Sequence, residues 1–501
     1  MKYKITVLPQ NKIILADENS LLSHLLIENG FLVSSPCGGN GKCGKCKVKL
    51  INGDVYGAEM DENRMVKSCL ARIKEDITVE LTNDNKYKIN LSNIEKVEPN
   101  GEYGVAVDIG TTTVLACLVD LKSGVVLKKA TCFNPQDVFG SDVLSRITAA
   151  GNGNLLKLQA LILNKIYEIL NAFSEGGKIP LKKMTLAANT TMLHLFLGVD
   201  PTPMGAYPFT PVFTETRQIS GEELGLNVHD IILLPSVSAY IGADITAGIL
   251  ATGIHKLKET ALLVDIGTNG EIVLSHNGEL YAASTAAGPA IEGASMQCGM
   301  SGVSGAINSV ILEKGFLKYK TIYNTSAVGI CGSGYVDLIA LLLKENIIDE
   351  YGAFNYASDS VLTSKLNNDN FYLTDNVFLS RRDIAEFQLA KSAICAGIEA
   401  LIHECNIDIS QIDRVYLAGG MGYYINPDSA VTVGMLPPYL ANKALSTENT
   451  AIEGAKKSLL DNISRQEICQ IAHNTKTVEL AFSEYFQKEY ITSMPFRFEK
   501  N

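Results

Sequence analysis

Short blocks of alternating apolar and polar residues fill the first 85 positions of the chain and predict a small α+β domain. The blocks KITVL (residues 4–8) and KIILAD (residues 12–17) alternate and lie close together, which predicts a β-hairpin. SLLSHLLIENG has apolar residues three and four positions apart, which predicts an amphipathic helix that ends at Gly30. KCKVKLI (residues 45–51) and ITVEL (residues 77–81) predict further strands.

The pattern changes at residue 103, where long apolar runs begin. Residues 86–102 are polar and without a clear period, so we expect a linker there and a second domain over residues 103–501. The second domain contains an internal repeat. YGVAVDIGTTTVLACLVDL (residues 103–121) and ALLVDIGTNGEIVLSH (residues 261–276) share a buried strand, the sequence DIGT, a tight turn and a second strand.

Composition and charge narrow the class of protein. With 501 residues, of which 46% are hydrophobic, the chain is long enough for two or three full domains. The formal net charge of −11 argues against a nucleic-acid or anionic-membrane surface, because both need clustered Lys and Arg. The sequence shows no secretory signal and no apolar run of about 18 residues. We therefore expect a cytoplasmic protein that does not bind nucleic acid or membrane.

The eleven cysteines are unevenly distributed. Cys37, Cys43 and Cys46 lie in the loop CGGNGKCGKC, and Cys69 follows in VKSCLAR. Disulfides are not expected in a cytosolic chain of this size. The other seven are isolated, and we expect them to be buried core residues: Cys117, Cys132, Cys298, Cys331, Cys395, Cys405 and Cys469.

The four clustered cysteines predict a metal centre. Four thiolates could bind a [2Fe–2S] cluster or a zinc ion. Structural zinc sites commonly use two C-x2-C pairs, and the second pair is missing here. The loop also contains four glycines, which let the backbone wrap around a cluster and donate N–H groups to its sulfurs: Gly38, Gly39, Gly41 and Gly44. This pattern favours the iron–sulfur cluster.

The two DIGT turns predict a phosphate site. Asp108 and Asp265 end apolar strands, where a carboxylate can bind Mg2+ directly or through water. Glycine backbone and threonine hydroxyl groups after each aspartate can bind phosphate oxygens. The candidate residues are Gly110, Thr111, Thr112, Thr113, Gly267, Thr268 and Asn269. The alternative explanation is that the two DIGT motifs are ordinary hairpin turns. The presence of two matching copies disfavours this alternative.

A third glycine-rich strand end, VYLAGGMGYYINP, contains Gly419, Gly420 and Gly422, and its bare backbone could admit a ring and a ribose. In this order the motifs resemble the superfamily of acetate and sugar kinases, heat-shock-cognate ATPases and actin. That resemblance implies two RNase H-like lobes that close over ATP, at about residues 103–255 and 256–501. It also implies adenosine binding at residues 417–422. The first 85 residues resemble the ferredoxin β-grasp fold.

The union of these two parts resembles the reductive activators of corrinoid-dependent methyltransferases. The stretches that carry this likeness are NPQDVFGSDVLSRI, NTTMLHLFLG, AYIGADITAGIL, AAGPAIEGA, GICGSGYVD and QLAKSAICAGIEAL. The resemblance implies ATP, Mg2+ and a [2Fe–2S] cluster used to reduce an inactive Co(II) corrinoid protein to Co(I). It further implies an upstream low-potential electron donor and a homodimer. The short linker implies that the additional middle domain of some members is absent.

Other functions are compatible with the same motifs. The chain could activate a different low-potential metalloenzyme, such as a dehydratase, or be a small-molecule kinase with a ferredoxin domain. A non-hydrolysing electron-transfer or scaffold protein is a further alternative. Among weaker candidate residues, a lone His194 is more typical of a core side chain, and Glu292 could support Mg2+ or water. Asn189, Thr190 and Thr191 could line the cleft or cap a helix.

Overall fold

The computed structural model describes residues 2–81, 87–98, 101–288, 290, 291, 293, 296–300, 302–419 and 425–496. Within these ranges no helix is long and apolar enough to cross a membrane. The described chain forms an N-terminal sheet, a seven-stranded sheet and a six-stranded sheet, with smaller sheets beside them.

The N-terminal sheet confirms the predicted α+β fold. Its strands follow the order β2-β1-β7-β3-β5, and β1 pairs antiparallel with β2 and parallel with β7. Leu22 and Leu26 of the helix lie in the same buried cluster as Ile5 and Val7 of β1. The elements are β1 (Lys2–Leu8), β2 (Lys12–Asp17), α1 (Leu22–Glu28), β3 (Lys47–Asn52), β4 (Val55–Tyr56), β5 (Met65–Lys67), β6 (Arg72–Ile73) and β7 (Ile77–Glu80).

The first lobe is built on the seven-stranded sheet, in the order β13-β14-β12-β9-β10-β11-β8. Central β9 reads YGVAVDI and is almost wholly buried, as expected for a strand covered on both faces. The elements are β8 (Asn90–Asn93), β9 (Tyr103–Ile109), β10 (Thr113–Asp120), β11 (Val126–Phe133), α2 (Val143–Ala149), α3 (Leu155–Phe173), β12 (Leu181–Ala188), α4 (Thr190–Leu197), β13 (Arg217–Ser220), β14 (Asp230–Leu233) and α5 (Ala243–Thr252).

The second lobe contains the six-stranded sheet, in the order β25-β24-β15-β16-β17-β26. Its strands are β15 (Thr260–Ile266), β16 (Gly270–His276), β17 (Glu279–Thr285), β18 (Ala306–Glu313), β19 (Phe316–Thr321), β20 (Gly329–Ile330), β21 (Leu366–Asn367), β22 (Asn370–Tyr372), β23 (Phe378–Ser380), β24 (Ile412–Ala418), β25 (Ala444–Ser446) and β26 (Thr475–Thr477). Its helices are α6 (Gly332–Lys344), α7 (Arg381–Glu404), α8 (Pro427–Thr432) and α11 (Glu484–Thr492).

Two late helices cross back to the first lobe. They are α9 (Thr450–Leu460) and α10 (Asn462–Asn474), and α9 contacts α5, β9 and β12. Thr185 Oγ1 of β12 donates a hydrogen bond to the carbonyl oxygen of Ala455, at 2.8 Å. The sequence-based division at about residue 256 assigned both helices to the second lobe. They belong structurally to the first because their apolar faces complete its core.

Part of the predicted linker is also ordered structure. β8, within residues 86–102, pairs antiparallel with β11 and forms the edge of the seven-stranded sheet. Tyr87 is buried before this strand, and its carbonyl oxygen accepts a hydrogen bond from Lys165 Nζ at 3.0 Å. The polar composition concealed this strand because all four of its residues are exposed.

Candidate functional site

The cysteine-rich loop, residues 37–46, is shaped by glycine. Gly38, Gly39, Gly41 and Gly44 all have positive φ, between +62° and +86°. At Gly41 a Cβ atom would lie 2.7 Å from Leu70 Cδ1, so a larger residue would displace that side chain. The glycines therefore have a conformational role, as the sequence predicts.

The four predicted metal-binding cysteines lie in two pairs. The Sγ atoms of Cys37 and Cys43 are 3.4 Å apart, and those of Cys46 and Cys69 are 3.2 Å apart. Two thiolates on one tetrahedral metal, with bonds of about 2.3 Å, lie roughly 3.8 Å apart. The Sγ–Sγ distance in each pair is therefore close to the spacing of two ligands on one metal ion.

Backbone groups surround these thiols. Burial raises the pKa of Cys37, but N–H donors from Cys43, Lys42 and Asn40 lower it below the ordinary thiol value. Burial and the adjacent thiol of Cys46 raise the pKa of Cys69 to about 12, while the Gly41 N–H opposes this shift. If a cluster displaced these thiol protons, the four thiolates and the backbone N–H donors around them would already be in place. The residues present therefore fit an iron–sulfur cluster.

The two DIGT turns meet between the lobes. Thr112 Oγ1 and Thr268 Oγ1 are 3.4 Å apart across this junction. Around them lies a pocket of about 90 Å³. Ten predicted residues line it: Asp108, Gly110, Thr111, Thr112, Thr113, Asp265, Gly267, Thr268, Asn269 and Gly419. Gly420, Gly422 and Glu292, which the sequence also suggested, lie outside the described residues.

Asn189, which the sequence suggested for the cleft, lines the same pocket, as do four residues that the sequence did not suggest: Asp244, Glu271, Asn449 and Ala451. Asp244 lies in the first turn of α5, and Glu271 is a buried acid that precedes the apolar stretch of β16. Asn449 caps α9 and donates Nδ2–H to Asp108 Oδ2 at 2.8 Å. Glu271 could have been found from the sequence as an acidic residue beside an apolar stretch, and Asn449 as a residue typical of a helix N-cap.

The carboxylates in the pocket are electrostatically crowded. Burial raises the pKa of Asp108 to about 6, although the Asn449 amide opposes this shift. Burial and the nearby Asp108 raise the pKa of Asp244 to about 7. Burial, Asp244 and Asp265 hold the pKa of Glu271 well above its ordinary value. Carboxyl groups that suppress one another's ionisation form a favourable environment for a divalent cation.

Gly419 fits closely against the second turn. Its φ is +95°, and a Cβ atom there would lie 2.5 Å from the carbonyl oxygen of Ile266 and 2.6 Å from Asp265 Oδ1. Only glycine allows the end of β24 to approach this carboxylate so closely.

His194 has a structural role. It is fully buried, stacks on Phe213 at 4.3 Å between ring centroids, and does not line the pocket. Its Nδ1 lies 2.8 Å from the Thr190 carbonyl oxygen, and Nε2 accepts the Val212 N–H at 3.1 Å. Asn189 serves both suggested roles, because it caps α4 and donates to Thr111 Oγ1 at 3.1 Å.

The isolated cysteines only partly match the expectation that they are buried. Cys117, Cys132, Cys331 and Cys395 are buried. The prediction is wrong for Cys469, which is exposed, and Cys298 and Cys405 are half-buried. Cys469 lies on α10, whose buried positions are Ile468 and Ile471.

Comparisons with known proteins agree with this architecture. Residues 5–74 match the family model of the 2Fe-2S iron-sulfur cluster binding domain. Residues 103–257 match the RACo middle region, and residues 259–501 match the C-terminal ASKHA domain of RACo. The expectation that a middle domain is absent is therefore wrong, because the family's middle region is the segment assigned to the first lobe.

Individual relatives span most of the chain. The corrinoid activation enzyme RamQ of Eubacterium limosum is 34% identical over 423 residues, which are 79% of this chain and 70% of the relative. The chain belongs to the family of corrinoid activation enzymes. A Methanosarcina barkeri member, the [Co(II) methylated amine-specific corrinoid protein] reductase, is 26% identical over 79% of this chain and 77% of its own. The solved structure of a reductive activator for corrinoid,iron-sulfur protein superposes with a TM-score of 0.74 and 27% identity, covering 99% of this chain and 98% of that one.

Family membership also accounts for the two-part architecture. This chain matches an iron–sulfur domain and an ASKHA domain, in agreement with the fold class predicted from the ferredoxin-like blocks and the DIGT repeat. The superposed structure extends over both parts. The predicted fold class is therefore confirmed.

Proposed function

We propose that this chain reduces an inactive Co(II) corrinoid protein to Co(I), using ATP hydrolysis and one electron carried by a [2Fe–2S] cluster. The observation that carries the proposal is the presence in one chain of four closely placed thiols and a pocket where two DIGT turns meet. The relatives named as a corrinoid activation enzyme and as a Co(II) corrinoid protein reductase support the choice of substrate.

Cys37 and Cys43 would hold one iron of the cluster, and Cys46 and Cys69 the other. A cluster bound there supplies a one-electron carrier. The loop keeps two ligands, Cys37 and Cys43, only partly buried, while Cys46 and Cys69 face the core. This arrangement leaves one edge of the site open for electron exchange with another protein.

Asp108 and Asp265 would bind Mg2+, directly or through water, and the backbone and hydroxyl groups of the two turns would bind the phosphates. ATP bound there supplies a phosphoanhydride bond whose cleavage is thermodynamically favourable. Asp244 and Glu271 add two more acidic side chains around the same point. Fixed donors and a cation would stabilise the charge that develops on the transferring phosphate.

The energetic reason for both parts is an unfavourable reduction. Plant-type clusters lie near about −400 mV, and each shortfall of about 59 mV lowers a one-electron equilibrium tenfold. Closure of the two lobes on nucleotide would favour one state of the complex with the corrinoid protein, in which the partner's cobalt is easier to reduce. A ligand shifts such an equilibrium only through its different affinities for the two states.

The partners and setting follow as part of this proposal. A low-potential electron donor would reload the iron–sulfur domain, and the protein would act in the cytoplasm, as a homodimer. Neither nucleic acid nor membrane would take part, in keeping with the net charge of −11.

A small-molecule kinase is a second candidate because of a larger cavity beside the turns. This cavity, of about 470 Å³, shares Thr268 and Asn269 with the phosphate pocket. Mainly apolar residues of both lobes line it, including Phe209, Tyr240 and Leu480. An acceptor bound there would lie next to the second turn.

One assay separates the two candidates. The reconstituted protein, a low-potential reductant and the corrinoid protein are mixed with or without Mg-ATP, and the Co(II) and Co(I) absorption bands are followed. We expect Co(I) only with Mg-ATP, and none with Cys43→Ser or Asp265→Asn. Equal reduction without nucleotide would reject the activator function. Transfer of the γ-phosphate to a small acceptor would support the kinase.

A further inference from the structure

A short segment after β11, residues 134–141 (NPQDVFGS), lies between the cysteine-rich loop and the first DIGT turn. Towards the turn, the Asn134 backbone N–H donates to the carbonyl oxygen of Thr112 at 2.8 Å. Its Nδ2–H donates to the carbonyl oxygen of Gly110 at 2.9 Å. We call residues 134–141 the connecting segment.

Arg146 makes a second connection to the same turn. It is fully buried, and its Nη2 donates to the carbonyl oxygen of Thr111 at 2.5 Å. Its Nε donates to the carbonyl oxygen of Gly140 at 3.0 Å, so one guanidinium group joins the first DIGT turn to the end of the connecting segment. A planar fork of donors can hold two carbonyl groups in a fixed relation.

The opposite side of the connecting segment holds the iron–sulfur domain. Ser141 donates both its backbone N–H and its hydroxyl to the carbonyl oxygen of Pro36, each at 3.0 Å. Pro36 directly precedes the cluster ligand Cys37. Thr111 and Cys37 are thus linked through Arg146, the Gly140–Ser141 backbone and Pro36.

Asp137 provides a second attachment. Its Oδ2 accepts the Ser34 hydroxyl at 2.8 Å, and its Oδ1 accepts the hydroxyl of Tyr87, which comes from the predicted linker. The carboxylate is buried at the junction of three parts of the chain: the iron–sulfur domain, the linker and the first lobe.

The connecting segment is packed tightly enough to transmit a displacement. Residues Pro135–Phe139 form a short helix, and Gln136 Nε2 donates to the carbonyl oxygen of Leu158 at 2.9 Å. Gly140 adopts a φ of +138°, and a Cβ atom there would lie 2.3 Å from Ser145 Cβ. A buried segment with this many specific contacts cannot shift at one end without altering the other.

We propose that the connecting segment couples the nucleotide pocket to the cluster loop, with Arg146 and Asp137 as positioning residues. The proposal rests on the proposed function, because it takes the turn as the nucleotide site and the loop as the cluster site. A phosphate group that draws in the first turn moves the Thr111 carbonyl group, and Arg146 transfers that shift to Pro36 and Cys37. Because such coupling is reciprocal, the contacts of the cysteine-rich loop also stabilise the first DIGT turn in the conformation that binds nucleotide.

The test uses the full chain with its cluster assembled and reduced. The electron paramagnetic resonance spectrum of the cluster is recorded with and without a non-hydrolysable ATP analogue and Mg2+, and analogue affinity is measured by calorimetry on the same samples. In the parent protein we expect the analogue to change the spectrum. Asp137→Asn keeps the size of the carboxylate but replaces one acceptor oxygen with an N–H donor. In this variant we expect a clearly smaller spectral change and analogue binding weakened about fivefold or more.

Two variants make the result specific. Lys157→Ala removes the ion pair with Glu28, at 3.0 Å, which joins the same two domains without touching the connecting segment. It should retain the parental response. Ser141→Ala removes one hydrogen bond to Pro36 and serves as a milder lesion, for which we expect a reduced response even if Asp137→Asn folds poorly.

The outcomes separate coupling from the proposed function. A parental spectrum that does not respond to an analogue shown by calorimetry to bind would overturn the coupling and leave the two sites intact. A full response in both Asp137→Asn and Ser141→Ala would do the same. Absence of analogue binding, or of a cluster in the parent, would overturn the proposed function and the coupling with it.

Discussion

Replacement of Asn449 by serine tests whether the first DIGT turn depends on a residue from the far end of the chain. Asn449 has two roles: its Oδ1 accepts the Ile452 N–H at the start of α9, and its Nδ2 donates to Asp108 at 2.8 Å. Serine retains a good helix cap but removes the amide donor. Asn449→Ser therefore isolates the contact with Asp108, whereas Asn449→Ala removes both contacts.

The expected magnitude follows from the charge of the acceptor. A hydrogen bond to an ionised group contributes about 1.5–3 kcal/mol, and each 1.36 kcal/mol is about tenfold in rate. We expect Asn449→Ser to lower ATP turnover about 10- to 150-fold, and to lower the free energy of unfolding by up to about 1.5–3 kcal/mol at a pH where Asp108 is ionised. Asn449→Ala should lose a further increment of stability of about 1 kcal/mol through the missing cap.

The pH profile supplies an independent readout. The Asn449 amide favours the charged form of Asp108, and it opposes the burial that raises the pKa of Asp108 to about 6. Loss of the amide raises that pKa further, so a smaller fraction of Asp108 is ionised at a given pH. Steady-state hydrolysis measured from pH 5.5 to 8.5 should show the acid limb of Asn449→Ser displaced to higher pH. Turnover within twofold of the parent at every pH would show that Asp108 does not depend on this contact.

Three further predictions test other parts of the site. Cys43→Ser should abolish the visible absorption of the cluster while calorimetry shows parental nucleotide affinity, and a retained absorption would contradict the assignment of Cys43 as a ligand. Gly419→Ala should weaken nucleotide binding more than about tenfold, because the new Cβ atom would clash with the second DIGT turn. Gly253→Ala is the matched control, since Gly253 also has a positive φ, of +69°, but has open space around it. Equal nucleotide affinities for the two variants would exclude a steric role for Gly419. In metal- and nucleotide-free protein, folded Asp244 has a pKa of about 7 against an ordinary value of 3.8, so its contribution to stability is present below about pH 4 and is lost as the pH rises through 7. Asp244→Asn should remove up to about 1.36 kcal/mol per pH unit from the slope of a urea-denaturation series, and an unchanged slope would contradict the pKa of Asp244.

Local signals explain what the sequence predicted well. The hairpin of β1 and β2, the helix before Gly30 and the DIGT turns each depend on spacing within about twenty residues. The glycines of the cysteine-rich loop also carry their meaning locally, because positive φ favours glycine at each position. Such features keep their signal whatever lies elsewhere in the chain.

Long-range contacts and exposed edges explain the site residues and the strand that the sequence did not predict. Asn449 and Asp108 are 341 positions apart, so no local period could place them together. Asp244 and Glu271 precede and follow the lobe boundary and meet only when the two sheets face each other. β8 was concealed because an exposed edge strand lacks the apolar alternation that marks a half-buried one.

The crossing of the chain near residue 448 explains why the pocket can respond to lobe movement. Thr447 is held to the second lobe, because its N–H and hydroxyl both donate to the carbonyl oxygen of Leu417, at 2.9 and 2.8 Å. Two residues later, Asn449 is held to Asp108 and begins a helix packed in the first lobe. A rotation between the lobes must therefore be absorbed between these attachments and at the two other crossings, which join α5 to β15 and α10 to β26. Because Asn449 holds Asp108 at this crossing and Asp265 lies near the end of β15, which follows the crossing from α5, lobe rotation would alter the distance between the two carboxylates proposed to bind Mg2+. Nucleotide and lobe geometry would then be linked directly, without a separate sensor.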